Sequence, residues 1–274
     1  MTGAPGPGAY THGHHDSVLR SHRWRTAANS APHLLARLRP GLTLLDVGCG
    51  PGTLTCDLAE RVAPGRVTGI DLSPEVVDEA RATAAARGTI NATFATGDLH
   101  RLDGNSDVDG PFDVVHAHQV LQHLADPVGA LRALAGLARP GGGVVAVRDA
   151  DYPAMAWHPA SAALDGWLDA YLAVTRRNGA EAAAGRRLPA WARAAGLADT
   201  TYTTSTWTFT GDDAAWWADV WAERTMRSAF AEQAVAYGIA SEPTLAELAA
   251  GWQAWAADPD AVFVVVHGEL VARL

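Results

Sequence analysis

The amino-acid sequence predicts an α/β fold in which helices wind on both sides of a parallel sheet. Short apolar runs recur through the first half of the chain, and a segment with helical spacing of its apolar residues follows each of them. A tight turn with three glycines joins the first apolar run to the first such segment. Strands that alternate with helices in this way are typical of doubly wound parallel sheets.

The glycine turn is the centre of this half of the chain. Residues 43–47 predict a buried strand and residues 53–62 predict a helix, with Gly48, Gly50 and Gly52 between them. Glycine lets the backbone adopt positive φ and lets another molecule approach closely. The N–H groups at the start of the following helix point towards that position. We therefore expect a ligand at this turn.

The spacing of the glycines distinguishes between two kinds of ligand. The dinucleotide-binding pattern is G-x-G-x-x-G, and its third glycine would stand at position 53, which is Thr53. Pro51 removes one N–H from the turn, so a ligand without a pyrophosphate fits better. An NAD-dependent oxidoreductase is an alternative that this turn fits poorly.

The other elements are predicted in chain order. Residues 13–38 predict two helical pieces, and Ser73 and Pro74 predict the start of a helix as its N-cap and first-turn residue. The further strands are predicted at 66–70, 91–95, 112–115, 144–147, 200–210 and 261–270. The further helices are predicted at about 73–87, 120–138, 160–178, 186–195, 212–236 and 244–256.

Four short motifs occur in order along residues 40–150. They are DVGCGPG at 46–52, GIDLS at 69–73, GD at 97–98 and FDVV at 112–115. Their order and spacing resemble those of class I S-adenosylmethionine-dependent methyltransferases. The segments HHDSVLRSH at 14–22 and RTAANS at 25–30 extend the resemblance to the UbiE-like branch, which methylates small molecules.

The resemblance implies a Rossmann-like, doubly wound sheet of seven strands, with S-adenosylmethionine as cofactor and S-adenosyl-L-homocysteine as product. In the family the last two strands form a hairpin, whereas about fifty residues separate them here, so we expect a helical insertion that acts as a lid. The expected domains are an N-terminal helical lid segment at 1–40, a cofactor-binding core at 41–152, and the rest of the sheet at 153–274, with helical substrate-binding insertions at about 153–185 and 211–258.

The resemblance also assigns residues to the cofactor. Asp46 would orient the turn or reach the amino group of the cofactor, and Asp71 would accept from the ribose hydroxyls. Asp98 would accept from the adenine amino group. Alternatives are an N-cap role for Asp71 and a solvated loop position for Asp98. The expected cofactor-binding residues are Tyr10, His14, Arg25, Asp46, Gly48, Cys49, Gly50, Asp71, Leu72, Gly97, Asp98, Leu99, Ala117, His118 and Gln119.

The N-terminal members of this set come from the segment that folds over the cofactor in the UbiE-like branch. Tyr10, His14 and Arg25 are expected to cover the carboxylate end of the cofactor, since an arginine suits a carboxylate. A surface salt bridge is the alternative for Arg25. The HGHH run at 12–15 lacks the spacing of a zinc site, so we predict no metal site.

Candidate catalytic residues follow the fourth and fifth predicted strands, at the sheet edge where ligands bind in such folds. His118 and His123 are candidates, and His123 would lie one helical turn beyond Gln119 on the same side. A histidine can act as general base near neutral pH, and packing within a helix is the alternative. Asp149 is a further candidate, either as a base or as the partner of a substrate amine.

Composition narrows the class of substrate. The net charge of −9 argues against a nucleic-acid partner. No run of eighteen apolar residues predicts a membrane span, and the N-terminus and the two cysteines predict a cytoplasmic protein. Nine of the ten tryptophans follow residue 150, and Trp217, Trp221 and Arg224 share one predicted helix face. These rings would wall an apolar pocket or simply pack in the core.

We therefore predict a methyltransferase that acts on an O or C atom, less readily on N, of an apolar or aromatic small-molecule metabolite. Displacement of a methyl group from a sulfonium needs mainly alignment and the exclusion of water, so a base is needed only when the nucleophile carries a proton. A second alternative is an enzyme that binds the same cofactor without methylating, such as a cyclase or a pericyclic enzyme. The sequence does not distinguish a monomer from a homodimer.

Overall fold

The computed structural model describes residues 10–13, 15–99, 108 and 110–274, in which one sheet of eight strands is flanked by helices. The strands are β1 Leu44–Val47, β2 Val67–Asp71, β3 Ala92–Thr96, β4 Val114–His118, β5 Val144–Ala150, β6 Ala156–His158, β7 Asp199–Thr210 and β8 Val262–Arg273. The helices are α1 Asp16–Arg23, α2 Ala27–Ser30, α3 Pro32–Leu35, α4 Thr53–Val62, α5 Pro74–Arg87, α6 Pro127–Leu137, α7 Ala162–Arg177, α8 Ala184–Ala195, α9 Gly211–Arg227, α10 Ala229–Ala236 and α11 Glu242–Ala256.

The order of the strands is that of a doubly wound sheet. Strands β3, β2, β1, β4 and β5 are parallel neighbours in that order, and β8 then pairs antiparallel with β5. The chain leaves β3 at one edge and returns at β4, on the other side of β1. This reversal creates a crevice at the carboxyl ends of β1 and β4, where such sheets bind ligands. The predicted fold class is confirmed.

Alternate residues of the strands face two separate cores, as the pleat of a strand requires. Leu45 and Val115 face α6 and α8 in one cluster, whereas Leu44 and Val114 face α3 and α4 in another. A third cluster is aromatic and joins α7, α9, α10 and α11 to β7 and β8. Within it the rings of Trp167 and Trp221 lie 4.5 Å apart, between centroids, in an edge-to-face contact.

An eighth strand was not predicted. It is β6, which pairs with residues 262–264 of β8, while β5 pairs with residues 267–273. Because β7 pairs with β8 along residues 262–273, β5 and β6 share the other edge of β8. The expected seven-stranded arrangement is therefore present, with β6 as a short additional strand. The pair β7 and β8 is the expected hairpin, interrupted by α9, α10 and α11.

The segment after β4 differs from the prediction. The strand runs to His118 and does not end at 115, because its residues pair with both β1 and β5. The predicted helix at 120–138 is wrong in its first part, where Leu121–His123 form a single 3-10 turn. Asp126 then accepts from the Gly129 N–H at 2.8 Å as an N-cap, and Pro127 stands in the first turn, so a new helix begins there.

Two other predicted helical stretches are divided. The stretch at 212–236 breaks at Ser228, which has extended backbone (φ −92°, ψ 172°) and separates α9 from α10. The N-terminal stretch contains three short helices, not two, because Thr26 caps the start of α2 and Pro32 begins α3. None of the helices in the described part of the chain combines the length and apolar character needed to cross a bilayer.

Candidate active site

A cavity of about 260 Å³ lies at the carboxyl ends of β1, β2, β4 and β5. One end borders the glycine turn and the residues after β2 and β3. The other end borders aromatic residues of the C-terminal half. The residues that line it are Tyr10, His12, Leu19, Ser21, His22, Arg25, Val47, Gly48, Gly50, Ile70, Asp71, Leu72, Val76, Gly97, Asp98, Leu99, His118, Gln119, Val120, His123, Leu124, Ala150, Tyr152, Met155, Trp207, Trp217, Trp221, Arg224 and Val265. The cavity is therefore assembled from both halves of the chain.

The glycine turn forms the wall at the first end. Gly48 has φ +70° and Gly50 has φ +56°, which a residue with a side chain rarely adopts. A Cβ atom on Gly48 would lie 2.5 Å from Cγ2 of Val120, so no side chain fits there. The N–H of Gly50 donates to Oδ2 of Asp71 at 3.1 Å, which ties the turn to the end of β2.

Asp71 lies where the sequence predicts it, at the carboxyl end of β2 and in the cavity wall. Its Oδ1 accepts from the Ser73 N–H at 3.2 Å. The N-cap of α5 is Ser73 itself, whose hydroxyl accepts from the Val76 N–H, so the alternative N-cap role for Asp71 is wrong. Each carboxylate oxygen has a further lone pair that a ligand hydroxyl can use.

The residues beside Asp71 complete this end of the cavity. Leu72, Gly97, Asp98 and Leu99 all line it, and Gly97 donates its N–H to the Asp71 carbonyl at 2.9 Å. Leu72 is 66% exposed, unusually so for a large apolar side chain beside a cavity. A flat apolar ligand surface would cover it.

Three other expected cofactor residues do not line this cavity, although Asp46 and Cys49 line a small pocket at the glycine turn. Asp46 is buried, with one carboxylate oxygen 2.6 Å from Thr55 Oγ1 and the other 2.8 Å from His116 Nδ1. These contacts join β1 to α4 and β4. Cys49 packs into the core with its Sγ 3.6 Å from the Gly50 carbonyl, and burial raises the pKa of its thiol. Ala117 is fully buried within β4.

The N-terminal segment reaches the cavity through Tyr10 and Arg25, while His14 lies outside the described residues. Arg25 donates from Nη2 to Gln119 Oε1 at 2.6 Å. Burial lowers the pKa of the Arg25 guanidinium to about 10. Among the described residues no carboxylate lies within ion-pair distance of Arg25, so a salt bridge does not account for its position. The Tyr10 ring makes an edge contact with His123, 4.8 Å between centroids.

His118 and Gln119 form the floor between the two ends. Both ring nitrogens of His118 are buried in the cavity wall without a hydrogen-bond partner in the described structure. Burial lowers the pKa of His118 well below its usual range, so its ring is neutral. Gln119 has φ +55°, and its Nε2 donates to His267 Nε2 at 2.9 Å. The left-handed backbone at Gln119 turns the chain out of β4 and over the cavity.

The two other catalytic candidates differ in position. His123 lines the cavity, although it reaches there through the 3-10 turn and not through a helix shared with Gln119. Burial lowers the pKa of His123 to about 3. Asp149 is fully buried, does not line the cavity, and accepts from the Gln122 N–H at 3.0 Å. Burial raises the pKa of the Asp149 carboxyl to about 7.

Comparisons with known proteins identify the family. Residues 38–185 match the family model described as a methyltransferase domain. The chain is also 30% identical, over 274 residues, to a protein of Schizosaccharomyces pombe named as an uncharacterized methyltransferase, and the match covers 96% of each. The chain belongs to the class I S-adenosylmethionine-dependent methyltransferases.

Other relatives match shorter parts of the methyltransferase. A probable methyltransferase, ltbC, of Aspergillus luteorubrus is 32% identical over 147 residues, which is 51% of each protein. Ubiquinone biosynthesis O-methyltransferase of Xanthomonas axonopodis is 38% identical over 111 residues, which is 40% of this chain and 44% of that protein. The predicted resemblance is confirmed, and the nicotinamide alternative is not supported.

Solved structures share the fold. YcgJ of Bacillus subtilis has a TM-score of 0.56 and 17% identity, covering 95% of this chain and 98% of that one. A phosphoethanolamine N-methyltransferase of Haemonchus contortus, solved with phosphomonomethylethanolamine and S-adenosylhomocysteine, has a TM-score of 0.55 and 16% identity, covering 94% of this chain and 57% of that one. S-adenosylmethionine is the cofactor of the methyltransferase.

The first end of the cavity fits this cofactor. Gly48 and Gly50 both line the cavity, and a Cβ atom on Gly48 would clash with Val120. Asp71 and Asp98 supply carboxylates for hydroxyl and amino groups, and Arg25 supplies a cation for a carboxylate. These are chemically the groups that a nucleoside joined to an amino acid requires.

The second end contains residues that the sequence analysis did not assign to the site. Tyr152 and Tyr171 hold their hydroxyls 3.3 and 2.9 Å from Nε2 of His12, and both Tyr152 and His12 line the cavity. Met155 and Arg224 also line it. Sequence offered a weak signal for two of these: Tyr152 follows the fifth strand, and Arg224 shares a helix face with Trp221. His12 had no such signal, since 159 positions separate it from Tyr171.

Proposed function

We propose that the methyltransferase transfers a methyl group to an O or C atom, less readily to N, of an apolar or aromatic small molecule. The observation that carries this proposal is the continuity of one cavity from the glycine turn to a wall made by Tyr152, Met155, Trp217 and Trp221. An acceptor bound against that wall would lie next to the cofactor. Flat or apolar acceptors gain most from burial against aromatic rings.

We propose specific contacts for the cofactor. The turn at Gly48 and Gly50 would hold the methionine part, and Asp71 would accept from both ribose hydroxyls. Asp98, beside the Leu99 backbone, would accept from the adenine amino group. Arg25, next to Tyr10, would bind the carboxylate. When bound, S-adenosylmethionine would supply an electrophilic methyl group on a sulfonium, from which a neutral thioether is a good leaving group.

The protein then mainly aligns the acceptor and excludes water. The cavity would hold the acceptor atom in line with the methyl group that the bound cofactor supplies, and a proton on that atom would be released to solvent. His118 and His123 are neutral and hard to protonate, so we infer that they align the acceptor by hydrogen bonding and do not store its proton. Asp149 would hold the 3-10 turn through Gln122 and would not act as the base.

We infer that the N-terminal segment closes the cavity as part of a lid over the core. Thr11 accepts from Asn178 Nδ2 at 2.9 Å, and the Tyr10 carbonyl accepts from Gln233 Nε2 at 3.1 Å. These bonds connect Tyr10 and Thr11 to the two regions expected as substrate-binding insertions. The lid would therefore combine the described residues among 10–40 with 153–185 and 211–258 around the described residues of the core at 41–152, and residues 1–9 of the expected N-terminal lid segment lie outside the described residues.

A turnover assay tests the proposal. The purified protein would be incubated with S-adenosylmethionine and a panel of phenols, enols and amines on aromatic or isoprenoid frames. S-adenosylhomocysteine and a product heavier by one methylene would be measured by mass spectrometry. Formation of both with an O- or C-nucleophile is expected. Tight cofactor binding without S-adenosylhomocysteine for any acceptor would instead support a non-methylating enzyme.

A further inference from the structure

Arg224 is a buried cation that forms no ion pair within the described part of the chain. It lies on α9, is 4% exposed and lines the cavity. Its Nη2 donates to the Ser17 carbonyl at 3.1 Å and to Ser21 Oγ at 2.8 Å, both on α1. Its Nε is buried and has no hydrogen-bond partner in the described structure. Among the described residues, no carboxylate lies within ion-pair distance of its guanidinium.

Another buried arginine shows how the same chain neutralises such a charge. Arg148 is fully buried within β5 and donates from Nε to Glu269 Oε1 at 3.1 Å and to Ser205 Oγ. Arg224 has instead the ring of Trp221, 4.5 Å from its guanidinium carbon, which compensates only part of the lost hydration. A guanidinium keeps its proton in proteins, so burying one without an anion is costly. An anionic ligand would remove that cost.

The cofactor carboxylate is not the best candidate for this anion. Arg25 borders the glycine turn, since it also lines a small pocket with Gly48 and Gly50. Arg224 is absent from that pocket and lies over the ring of Trp221. The two guanidinium groups are close enough that the charge of Arg224 helps to lower the pKa of Arg25. Arg25 is nevertheless the arginine beside the glycine turn, and Arg224 is the one beside the aromatic wall that we assign to the acceptor.

The charges in the cavity lead to the same conclusion. Two carboxylates, on Asp71 and Asp98, and two guanidinium groups, on Arg25 and Arg224, line its described part. Bound S-adenosylmethionine has a net positive charge because of its sulfonium. An acceptor with one negative charge would neutralise the complex, and this attraction is strong where water is excluded.

We propose that the methyl acceptor is an aromatic or apolar carboxylic acid and that Arg224 binds its carboxylate. The free Nε–H belongs to the fork that arginine presents to carboxylates. The carboxylate anchors the acceptor at the aromatic end, and another atom of the acceptor receives the methyl group. This inference rests on the proposed function, since it names the acceptor of the same site.

The test measures binding and needs no methyl transfer. Protein saturated with S-adenosylhomocysteine is titrated calorimetrically with benzoate, phenylacetate, 3-phenylpropanoate and 2-naphthoate, and with the amide of each. At least one carboxylate is expected to bind about tenfold more tightly than its amide, as a charge-assisted hydrogen bond provides. Arg224→Gln should abolish that preference, and Arg224→Lys should retain part of it.

The controls separate the possible failures. Arg227→Gln changes an exposed arginine one turn further along α9 and should leave the preference intact. Melting temperature and S-adenosylhomocysteine affinity report whether each variant is folded. If Arg224→Gln does not fold, the wild-type preference and its reduction in Arg224→Lys decide the question. The inference is overturned if no carboxylate is preferred to its amide, or if the preference survives in Arg224→Gln.

The same design distinguishes this inference from the proposed function. Suppose that turnover occurs only with neutral acceptors and that no carboxylate binds better than its amide. The methyltransferase proposal would then stand, and the inference of a carboxylic acid as acceptor would be rejected. A carboxylate preference that disappears in Arg25→Gln but not in Arg224→Gln would overturn the inference and assign the anion to Arg25.

Discussion

The two ends of the cavity are built in different ways. The cofactor end comes from turns that directly follow neighbouring parallel strands, and its bond between Gly50 and Asp71 spans 21 positions of sequence. The acceptor end joins residues that are far apart, as in the bond between His12 and Tyr171 across 159 positions. A local motif can specify the first end, whereas the second exists only when the whole chain is folded.

The two ends also differ in what their residues do for stability. The cofactor end depends on missing side chains, as at Gly48, where a Cβ would meet Val120. The acceptor end depends on large side chains that belong to the aromatic core, such as Trp217 and Trp221. Substitutions at the first end should therefore affect mainly ligand binding, and those at the second should affect both folding and the acceptor.

The largest effect is expected for Trp221→Ala. Trp221 is 1% exposed and contacts Trp167 and Trp252, so its removal leaves a large void in the aromatic core. The free energy of unfolding should fall by about 3–5 kcal/mol. Urea denaturation would measure the change. Trp216→Ala, the half-buried tryptophan of the same helix that does not line the cavity, is the matched control and should cost less. Equal losses of unfolding free energy in the two variants would contradict the special role of Trp221 in the aromatic core.

A smaller effect is expected for Gly48→Ala, which should lower cofactor affinity by about a hundredfold because both φ and the contact with Val120 oppose a side chain. Gly141→Ala is the matched control, because Gly141 also has positive φ (+73°) but has no atom within 4 Å of an added Cβ. It should leave the affinity unchanged. Calorimetric titration with S-adenosylhomocysteine would measure both. Equal affinities in the two variants would show that a side chain at position 48 does not disturb cofactor binding.

Asp149→Asn tests whether Asp149, a predicted catalytic base, is instead a buried group that affects only stability. Its pKa is raised by burial to about 7, so the folded state holds its proton more tightly than the unfolded chain. The stability from that proton is present below the unfolded pKa and is lost as the pH rises through 7. The variant should therefore become more stable relative to wild type by about 2 kcal/mol between pH 5 and 8. A constant difference in melting temperature across this range would contradict the assignment.

The smallest effect is expected for Asp71→Ala, which should weaken cofactor affinity about tenfold through the loss of a charged hydrogen-bond partner for the ribose. It also removes the acceptor for the Gly50 N–H. Titration with S-adenosylhomocysteine would measure the change, and titration with adenine would serve as the comparison, because adenine lacks the ribose. An unchanged affinity for S-adenosylhomocysteine would contradict the ribose assignment.

Some differences between the predicted and observed elements have a local cause that is visible in the sequence. Asp126 and Pro127 form the start of a helix, so residues 120–138 could have been divided there. The end of β4 could not be predicted from neighbouring residues in this way. His118 pairs with Arg148, and a polar residue extends a buried strand only because its neighbours on both sides are already in place. The eighth strand has the same cause, since β6 exists only beside β8.

The sequence by itself determined the doubly wound sheet, the glycine turn and the position of Asp71, because each depends on residues close together in the chain and on their spacing. Only the tertiary structure decided that Asp46 is paired internally, that Asp149 lies outside the cavity and that Arg224 lies within its wall. Burial, counter-charges and hydrogen-bond partners come from distant segments. A side chain's charge is visible in sequence, but its surroundings are a property of the folded chain.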